Sequence, residues 1–417
     1  MKTKAIYFSV FTACLSALCY EMIHIRVFSY SLPPVLAYAG ISIAMTGIGI
    51  GTVLLFFRPA ALNRDLTRTI TALLVLQSLT MVLAFVIFSR ASWQTILDIQ
   101  NNIISLIFKI LLPCTLPYIF FGLFLGLIFS QEQLPIGRIY FFNLSGSGVG
   151  CILIVLLLLP LGGEKLVVLT ALLAAIAGLT MSFHAGKALM ALCLALILAE
   201  ASSFAFAENL FPFSPDPIDA VGYGLRFAEK DGAPKPVKEF SEWNIVGKVE
   251  IWNSKVERLK VPETLDLRIL SVDSGATTQL IEHPRKKEWG KALFEETAYG
   301  MAYAIRKKPE KVLVIGAGGG IDVDAALHWN AGHVTAVEIN SSTVRAVQGP
   351  YASFLHWPEL KNRVRVVHAD GRSFVKGTSE KFDVIQLSGV DTMTVYATGS
   401  INEASGIKVS ENDGIKI

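Results

Sequence analysis

Apolar residues crowd into the first half of this chain so densely that most of it must be helix shielded from water. Several runs within residues 1–207 exceed the roughly 18 residues a helix needs to cross a bilayer. They predict seven helical spans, at about 5–28, 34–57, 70–89, 103–130, 140–162, 164–184 and 187–206. The first is too long, and too polar at its end, for a cleaved signal peptide, and no small-residue cleavage site follows its core. From Glu208 onward, charges, prolines and alternating patterns return. The hydrophobic fraction of 52% and the mean hydropathy of +0.51 therefore average two unlike halves. The expected organisation is a transmembrane helical domain over 1–207, a small β-rich domain over 208–285 and an α/β domain over 286–417.

Ionisable residues inside the apolar half are few: Glu21, His24 and Arg26 at the end of the first span, Lys109 and Glu200. Such groups are costly in lipid and face a partner or a cavity. Glu21 and His24 are three apart and share a helix face. They read either as a polar relay or substrate site, or, more plainly near a span end, as interfacial anchors with a local ion pair. Gly47-Ile-Gly-Ile-Gly51 and Gly146-Ser-Gly-Val-Gly150 carry small residues at the spacing that lets helices approach closely. All five cysteines (Cys14, Cys19, Cys114, Cys151, Cys193) lie in this half. They follow neither metal nor disulfide spacing and read as small buried hydrophobes.

Charge predicts orientation. With the N-terminus inside, the inner side holds Lys2, Lys4, Arg58, Arg64, Arg68, Arg138 and Lys187, and the outer side Arg26, Arg90 and Lys165. That imbalance favours the N-terminus inside, and seven crossings then place the soluble half outside, where adenosine compounds are scarce. A cytoplasmic soluble half requires one span to fail. The suspects are 103–130, interrupted by Pro113 and Pro117, and the last span, which carries Glu200. The expectation is a multi-pass protein of the plasma membrane with a cytoplasmic soluble half.

The soluble half centres on Val312-Leu-Val-Ile-Gly-Ala-Gly-Gly-Gly-Ile-Asp322, with Glu338 eighteen residues after Gly320. An apolar run breaks into glycines, and a second run, Val334-Thr-Ala-Val337, ends in an acid. Parallel sheets build nucleoside pockets this way: glycines let backbone approach the ligand, and the acid at the next strand tip accepts from ribose hydroxyls. Gly316, Gly318, Gly319, Gly320, Asp322 and Glu338 are the candidate cofactor residues. Val364-Arg-Val-Val-His368 reads as the third strand, followed by Asp370 and Gly371. Asp370 is a candidate acceptor for an adenine amino group, or else a helix cap. Phe382-Asp-Val-Ile-Gln-Leu387 reads as the fourth strand, with Ser388 and Asp391 at its carboxyl end, where ligands of open α/β sheets bind. Upstream, Lys248–Trp252 and Leu265–Val272 alternate in the strand manner, and a helix is expected near 287–306. The net charge of +3 gives no reason to invoke nucleic acid.

These residues resemble the spermidine synthase family of aminopropyltransferases, which share the fold of class I S-adenosylmethionine-dependent methyltransferases. The resemblance rests on Val312–Gly320, Val337-Glu338-Ile339, Ala369-Asp-Gly371 and Phe382–Asp391. It extends to Ser271-Val-Asp-Ser-Gly-Ala-Thr-Thr-Gln279 in the small β-domain. The apolar half, with Ser16-Ala-Leu-Cys-Tyr-Glu-Met-Ile-His-Ile-Arg26 and Tyr140-Phe-Phe-Asn-Leu-Ser-Gly-Ser-Gly148, resembles bacterial proteins described as fused transporter-like/spermidine synthases. The resemblance implies S-adenosylmethionine or its decarboxylated form as substrate and a polyamine-like acceptor. It also implies acceptor contacts from Asp273, Gln279 and Asp391.

Two departures stand out. Spermidine synthases carry an acid early in the loop after the fourth strand, where it deprotonates and holds the attacking amine. Ser388 occupies that position here, and only Asp391 remains, so Ser388 and Asp391 are the candidate catalytic residues. A serine hydroxyl alone is too weak a base for this step. Methyltransferase-like sheets also need three further strands, whereas 26 residues follow Asp391, and Ala397–Ile417 shows no strong strand run. Either another chain completes the sheet, as in a homo-oligomer, or the domain is C-terminally shortened. The sequence thus admits a membrane-bound transferase, a nucleoside-sensing module that regulates the membrane half, or a remnant in which only the membrane half works.

Overall fold

The computed structural model describes residues 2–37, 39–57, 65–91, 103–231, 235–253, 267–282, 290–357, 360, 362–388, 408–410 and 414–416. Asp391 lies outside them. The chain forms two compact units, Met1–Ile218 and Asp219–Ile417.

Among the described residues, unit 1 is built of helices, chiefly α1 (Lys2–Ser31), α2 (Ala39–Phe57), α3 (Leu66–Ser89), α4 (Leu112–Phe129), α5 (Ile136–Ser182) and α6 (Lys187–Ser203). Among the described residues, six helical stretches are long and apolar enough to cross a membrane. The prolines suspected of interrupting the fourth span do not. Pro113 falls in the first turn of α4, where a missing N–H is tolerated, the widened turn Ile107–Leu111 leads straight into it, and Pro117 lies inside α4 without ending it. A continuous stretch, Ile107–Phe129, results.

Helix α5 merges the fifth and sixth expected spans. Its 47 residues would extend about 70 Å if straight, more than twice a hydrocarbon core of about 30 Å. It is not straight. Gly162, two residues after Pro160, takes φ 78° and ψ 165°, a conformation a side chain would oppose. Contacts with α1 show how the two arms run. Ser9 Oγ donates to Ala177 O at 3.0 Å, and the Phe11 carbonyl lies beside Gly146. Farther along, Ser16 Oγ donates to Thr170 O at 2.7 Å, and Cys19 Sγ to Gly150 O at 3.2 Å. Numbers rise along the first arm and fall along the second, so α5 is an antiparallel helical hairpin.

The ends of the helices sort in the same way. Arg68 Nε donates to Ala185 O, joining the start of α3 to the turn between α5 and α6. At the other end Arg90 Nη1 donates to Leu210 O, Lys165 pairs with Glu208 at 3.5 Å, and Asp216 N donates to Tyr30 O. The chain therefore leaves this unit at the end opposite its N-terminus. Glu200, the other suspected interruption, sits within α6 and is buried, accepting from Ser78 Oγ on α3. His24 corrects the expectation of an interfacial ion pair. It is fully buried, its Nδ1 is 2.9 Å from the Tyr118 hydroxyl, and its ring packs against Tyr20, Phe28 and Phe85. Four of the five cysteines are buried as expected, but Cys151 is exposed.

Unit 2 begins with α7 (Ala220–Asp231), which sequence did not suggest. An antiparallel sheet follows, β1 (Val237–Trp243), β2 (Lys248–Asn253), β3 (Leu267–Val272) and β4 (Ala276–Ile281), in meander order. The helix expected near 287–306 is broken within its described part. Lys291–Glu295 is a wide turn, Ala298–Gly300 a 3₁₀ turn, and only α8 (Met301–Ile305) is α-helical. Gly300 presses against the Phe294 carbonyl so closely that a β-carbon there would collide with it.

The second sheet is parallel, in the order β7-β6-β5-β8. Its strands are β5 (Lys311–Ile315), β6 (His333–Glu338), β7 (Val364–His368) and β8 (Val384–Gln386). Helices α9 (Ile321–His328), α10 (Ser341–Gln348) and α11 (Gly371–Gly377) follow β5, β6 and β7. Alternate residues of β5 serve two cores, as a strand covered on both faces requires. Val312 and Val314 join Val323, Leu327 and Val347, a cluster shared with Ile251, Leu270 and Leu280 of the antiparallel sheet. Leu313 and Ile315 pack with Val337 and Phe374 on the other face. The tail, expected to lack strands, holds a short antiparallel pair, β9 (Lys408–Ser410) and β10 (Gly414–Lys416).

Candidate functional site

The glycine loop joins β5 to α9 and is strapped to the strand beside it. Gly316 N and Ala317 N both donate to Val337 O, at 2.8 and 3.2 Å, and Gly320 N donates to Ala317 O at 2.8 Å. Gly320 precedes α9 at φ 96°, and a β-carbon there would meet the Trp357 ring at 2.4 Å. A side chain at that position is therefore excluded twice, by conformation and by space. Gly319 lies against the Gln279 carbonyl of β4, 2.6 Å from where its own β-carbon would be. The antiparallel sheet thus walls one side of the loop.

Glu338 closes the loop from the tip of β6. It is 8% exposed, its Oε2 accepts from Gly318 N at 2.9 Å, and its Oε1 accepts from Asn340 N at 2.8 Å. Burial pushes its carboxyl up, while the amides of Asn340, Gly318 and Ile339 pull it back. Asn340 in turn caps α10, accepting from Ser342 N, and is held by Asn244 Nδ2 at 2.6 Å. Sequence reasoning passed over Asn340. Its place between an apolar strand and a helix was the available signal.

Asp322 sits in the first turn of α9, where the helix N-terminus favours negative charge. It is 3% exposed and accepts from Gln386 Nε2 at 2.6 Å. A second hydrogen bond joins it to the Ser388 side chain. Gln386 also bonds the Tyr303 hydroxyl and donates to Tyr299 O at 3.3 Å. Burial drives the Asp322 carboxyl up to about 6 against the pull of these hydrogen bonds. The structure therefore brings two sequence candidates, Asp322 and Ser388, into contact, with Gln386 and Tyr303 as partners that sequence missed. A polar residue in the otherwise apolar run Phe382–Leu387 was the overlooked sign.

Other candidates lie apart from this contact. Asp370 caps α11, its Oδ1 accepting from Ser373 N at 2.8 Å, and these hydrogen bonds hold its carboxyl below the usual range. Gly371 packs under Ile315. Asp273 is buried in the β3–β4 turn at φ 46°, with Oδ1 accepting from Lys248 N at 2.7 Å. Gln279 borders the glycine loop through its carbonyl. A concavity lined by Lys311, His333, Arg363, Arg365 and Glu380 lies at the amino ends of the strands, the end away from the glycine loop. Among the described residues no group of three His, Cys, Asp or Glu side chains is placed to hold a metal.

A parallel sheet, a glycine-rich first turn and an acid ending the neighbouring strand define a Rossmann-like α/β domain. The family is narrower. Residues 292–405 match the spermine/spermidine synthase domain. The polyamine aminopropyltransferase of Korarchaeum cryptofilum is 28% identical over 144 residues, covering 30% of this chain and 43% of that protein. Polyamine aminopropyltransferase 2 of Hyperthermus butylicus is 36% identical over 86 residues, 20% of this chain and 28% of that protein. A spermidine synthase solved with the transition state analogue AdoDATO is 18% identical, covers 37% of this chain and 46% of that one, and superposes with a TM-score of 0.28. This chain spans less than half the length of these relatives. Residues 292–405 therefore carry a spermine/spermidine synthase domain, and this part of the chain is similar to the polyamine aminopropyltransferases.

Proposed function

We propose that this chain is a membrane-embedded transferase that binds S-adenosylmethionine or its decarboxylated form and passes an aminopropyl or methyl group to an amine acceptor such as a polyamine. The observation that carries the reading is the Glu338–Gly318 pair. Glu338 Oε2 accepts from Gly318 N and Oε1 from Asn340 N, and a carboxylate offers about four lone-pair sites, which leaves acceptor capacity for a ribose hydroxyl. The loop it braces brings backbone against whatever lies at the carboxyl ends of β5 and β6. Displacement at a sulfonium carbon then needs an aligned, unprotonated nitrogen, which the neighbourhood of Ser388 would hold.

The membrane assignment is supported by the surface of unit 1. Phe56, Phe57, Phe141, Leu156 and Leu198 all stand exposed on helices apolar enough to span a bilayer. With the α5 hairpin the unit offers seven crossings. We assign the soluble half to the cytoplasm, where sulfonium nucleosides are made, which sets the N-terminus across the membrane.

Titration calorimetry of the full chain in detergent with both sulfonium nucleosides, followed by mass spectrometry of a polyamine reaction, tests the proposal. Binding with alkylated product supports it, and failure to bind either nucleoside sinks it. One observation favours a second reading, a nucleoside-sensing module acting on the membrane half: Ser388 stands where the family resemblance expects a carboxylate. Binding without turnover would select that reading.

A further inference from the structure

We infer that Asp322 replaces the carboxylate absent at position 388, taking the acceptor amine's proton through the Ser388 hydroxyl. The inference rests on the transferase reading above and names the proton acceptor for the same site. Ser388 is at the carboxyl end of β8, where an acceptor would approach, and its side chain is hydrogen-bonded to Asp322. Asp322 is buried to 3% exposure and fixed on its other side by Gln386 Nε2 at 2.6 Å. Gln386 is itself held by the Tyr303 hydroxyl and Tyr299 O, and its Nε2 lies 3.3 Å from Ser388 Oγ. A hydroxyl backed by a fixed carboxylate is a far better proton acceptor than a free one, because the proton it takes up is matched by one it gives away.

The step balances without any further reactant. An ammonium group of the acceptor gives a proton to Ser388 Oγ as the Ser388 hydroxyl proton passes to Asp322. The freed nitrogen lone pair forms a bond to the propyl carbon. The carbon–sulfur bond breaks with its electron pair going to sulfur, leaving a neutral thioether nucleoside and a protonated secondary amine. Asp322 later releases its proton to water.

The titratable groups facing Asp322 are the phenols of Tyr299 and Tyr303, and Asp324 shares its helical turn. Burial, the largest influence on Asp322, holds its carboxyl near about 6. It is thus ionised at neutral pH yet basic enough to accept a proton there. Asp322 acts through Ser388 and is a positioning residue.

The test is the pH profile of transfer from decarboxylated S-adenosylmethionine to putrescine by the full chain in detergent. Wild type should lose kcat below a pH near the Asp322 value. D322N should lose about 100-fold in kcat, the usual scale for a missing proton acceptor, and lose that acid limb. Installing S388D in the D322N background supplies a carboxylate directly and should restore transfer. An active wild type whose D322N form keeps rate and pH profile overturns the relay and leaves the transferase reading standing. Loss in D322N without rescue by S388D also overturns it, since the acid would then be only structural. Nucleoside binding with no transfer by wild type removes both. Should D322N fail to fold, S388A keeps Asp322 bonded to Gln386 and must show the same loss.

Discussion

Gly318 donates its amide to the Glu338 carboxylate at 2.9 Å, so the acid that ends β6 holds the loop that begins α9. Under the proposed function, that side chain would serve both loop stability and ribose binding. E338Q replaces one acceptor oxygen with an NH₂ group facing a backbone N–H. The variant should lose roughly 1–3 kcal/mol of nucleoside affinity, the scale of hydrogen bonds to a charged acceptor. Calorimetry measures this, and unchanged affinity would remove Glu338 from the ribose site. A parallel fall in melting temperature would report its work on the loop.

Asp322 makes a separate prediction about stability. Its carboxyl is raised from 3.8 to about 6, so the folded protein holds that proton more tightly than the unfolded chain. The stabilisation is complete below about pH 4 and is lost as pH rises through about 6, with a size on the order of 3 kcal/mol. Replacing Asp322 by Asn removes the titration. Melting curves of wild type and D322N should therefore run together at low pH and separate toward neutrality, the variant being the more stable. Curves that stay parallel from pH 4 to 7 would show that the acid ionises freely in the fold.

Asp383 has the opposite sign. It accepts from the Lys311 and Glu310 amides at 3.0 and 2.8 Å and pairs with Arg306 at 2.7 Å, tying the start of β8 to the start of β5. These contacts bring its carboxyl down to about 2. Its contribution is present above about pH 4 and disappears as pH falls through about 2. D383A should melt below wild type at neutral pH, and the gap should close on acidification. A gap independent of pH would mean that the carboxylate's charge is irrelevant there.

Helix packing in unit 1 separates glycines that look alike in sequence. A β-carbon at Gly146 would lie 2.2 Å from the Phe11 carbonyl and one at Gly51 2.4 Å from the Ile119 carbonyl. Gly148 and Gly49, two residues away in each case, have open space. G146A and G51A should each destabilise the detergent-solubilised protein by about 1–3 kcal/mol, as overpacking does. G148A and G49A should be neutral or slightly stabilising, because alanine favours helix. Equal effects within either pair would contradict the helix contacts described.

Legibility followed the physics of each element. Strands β5 and β6 were readable because a parallel strand covered on both faces is largely apolar and ends at glycine or acid, whereas β7, at the sheet's edge, was readable from its valines alone. The two arms of α5 were readable as separate spans, since each is long enough to cross a bilayer, but their contact along α1 was not. The segment 291–305 has a helical composition, yet the pressing of Gly300 on Phe294 breaks it, a tertiary effect that local pattern does not carry. Asp370 was ambiguous between ligand and cap, and both roles begin with an acid before a helix. The Asp322–Ser388 contact joins residues far apart in sequence, so only the closing of β8 against β5 reveals it.

The exit of the chain from unit 1 makes orientation decisive for function. The Arg90–Leu210 and Lys165–Glu208 contacts set that exit at the end opposite the start of α1. Among the described residues, the basic ones favour the N-terminus inside, with Lys2, Lys4, Arg68, Arg138 and Lys187 on its side against Arg26, Arg90 and Lys165 on the other. The proposed function favours the reverse, because the sulfonium nucleoside it invokes is made in the cytoplasm. We expect the need for ligand to prevail: alkaline phosphatase fused after residue 210 should be inactive and a fluorescent protein there should glow. An active phosphatase would place the site where sulfonium nucleosides are not supplied, and the transferase would then lack its substrate.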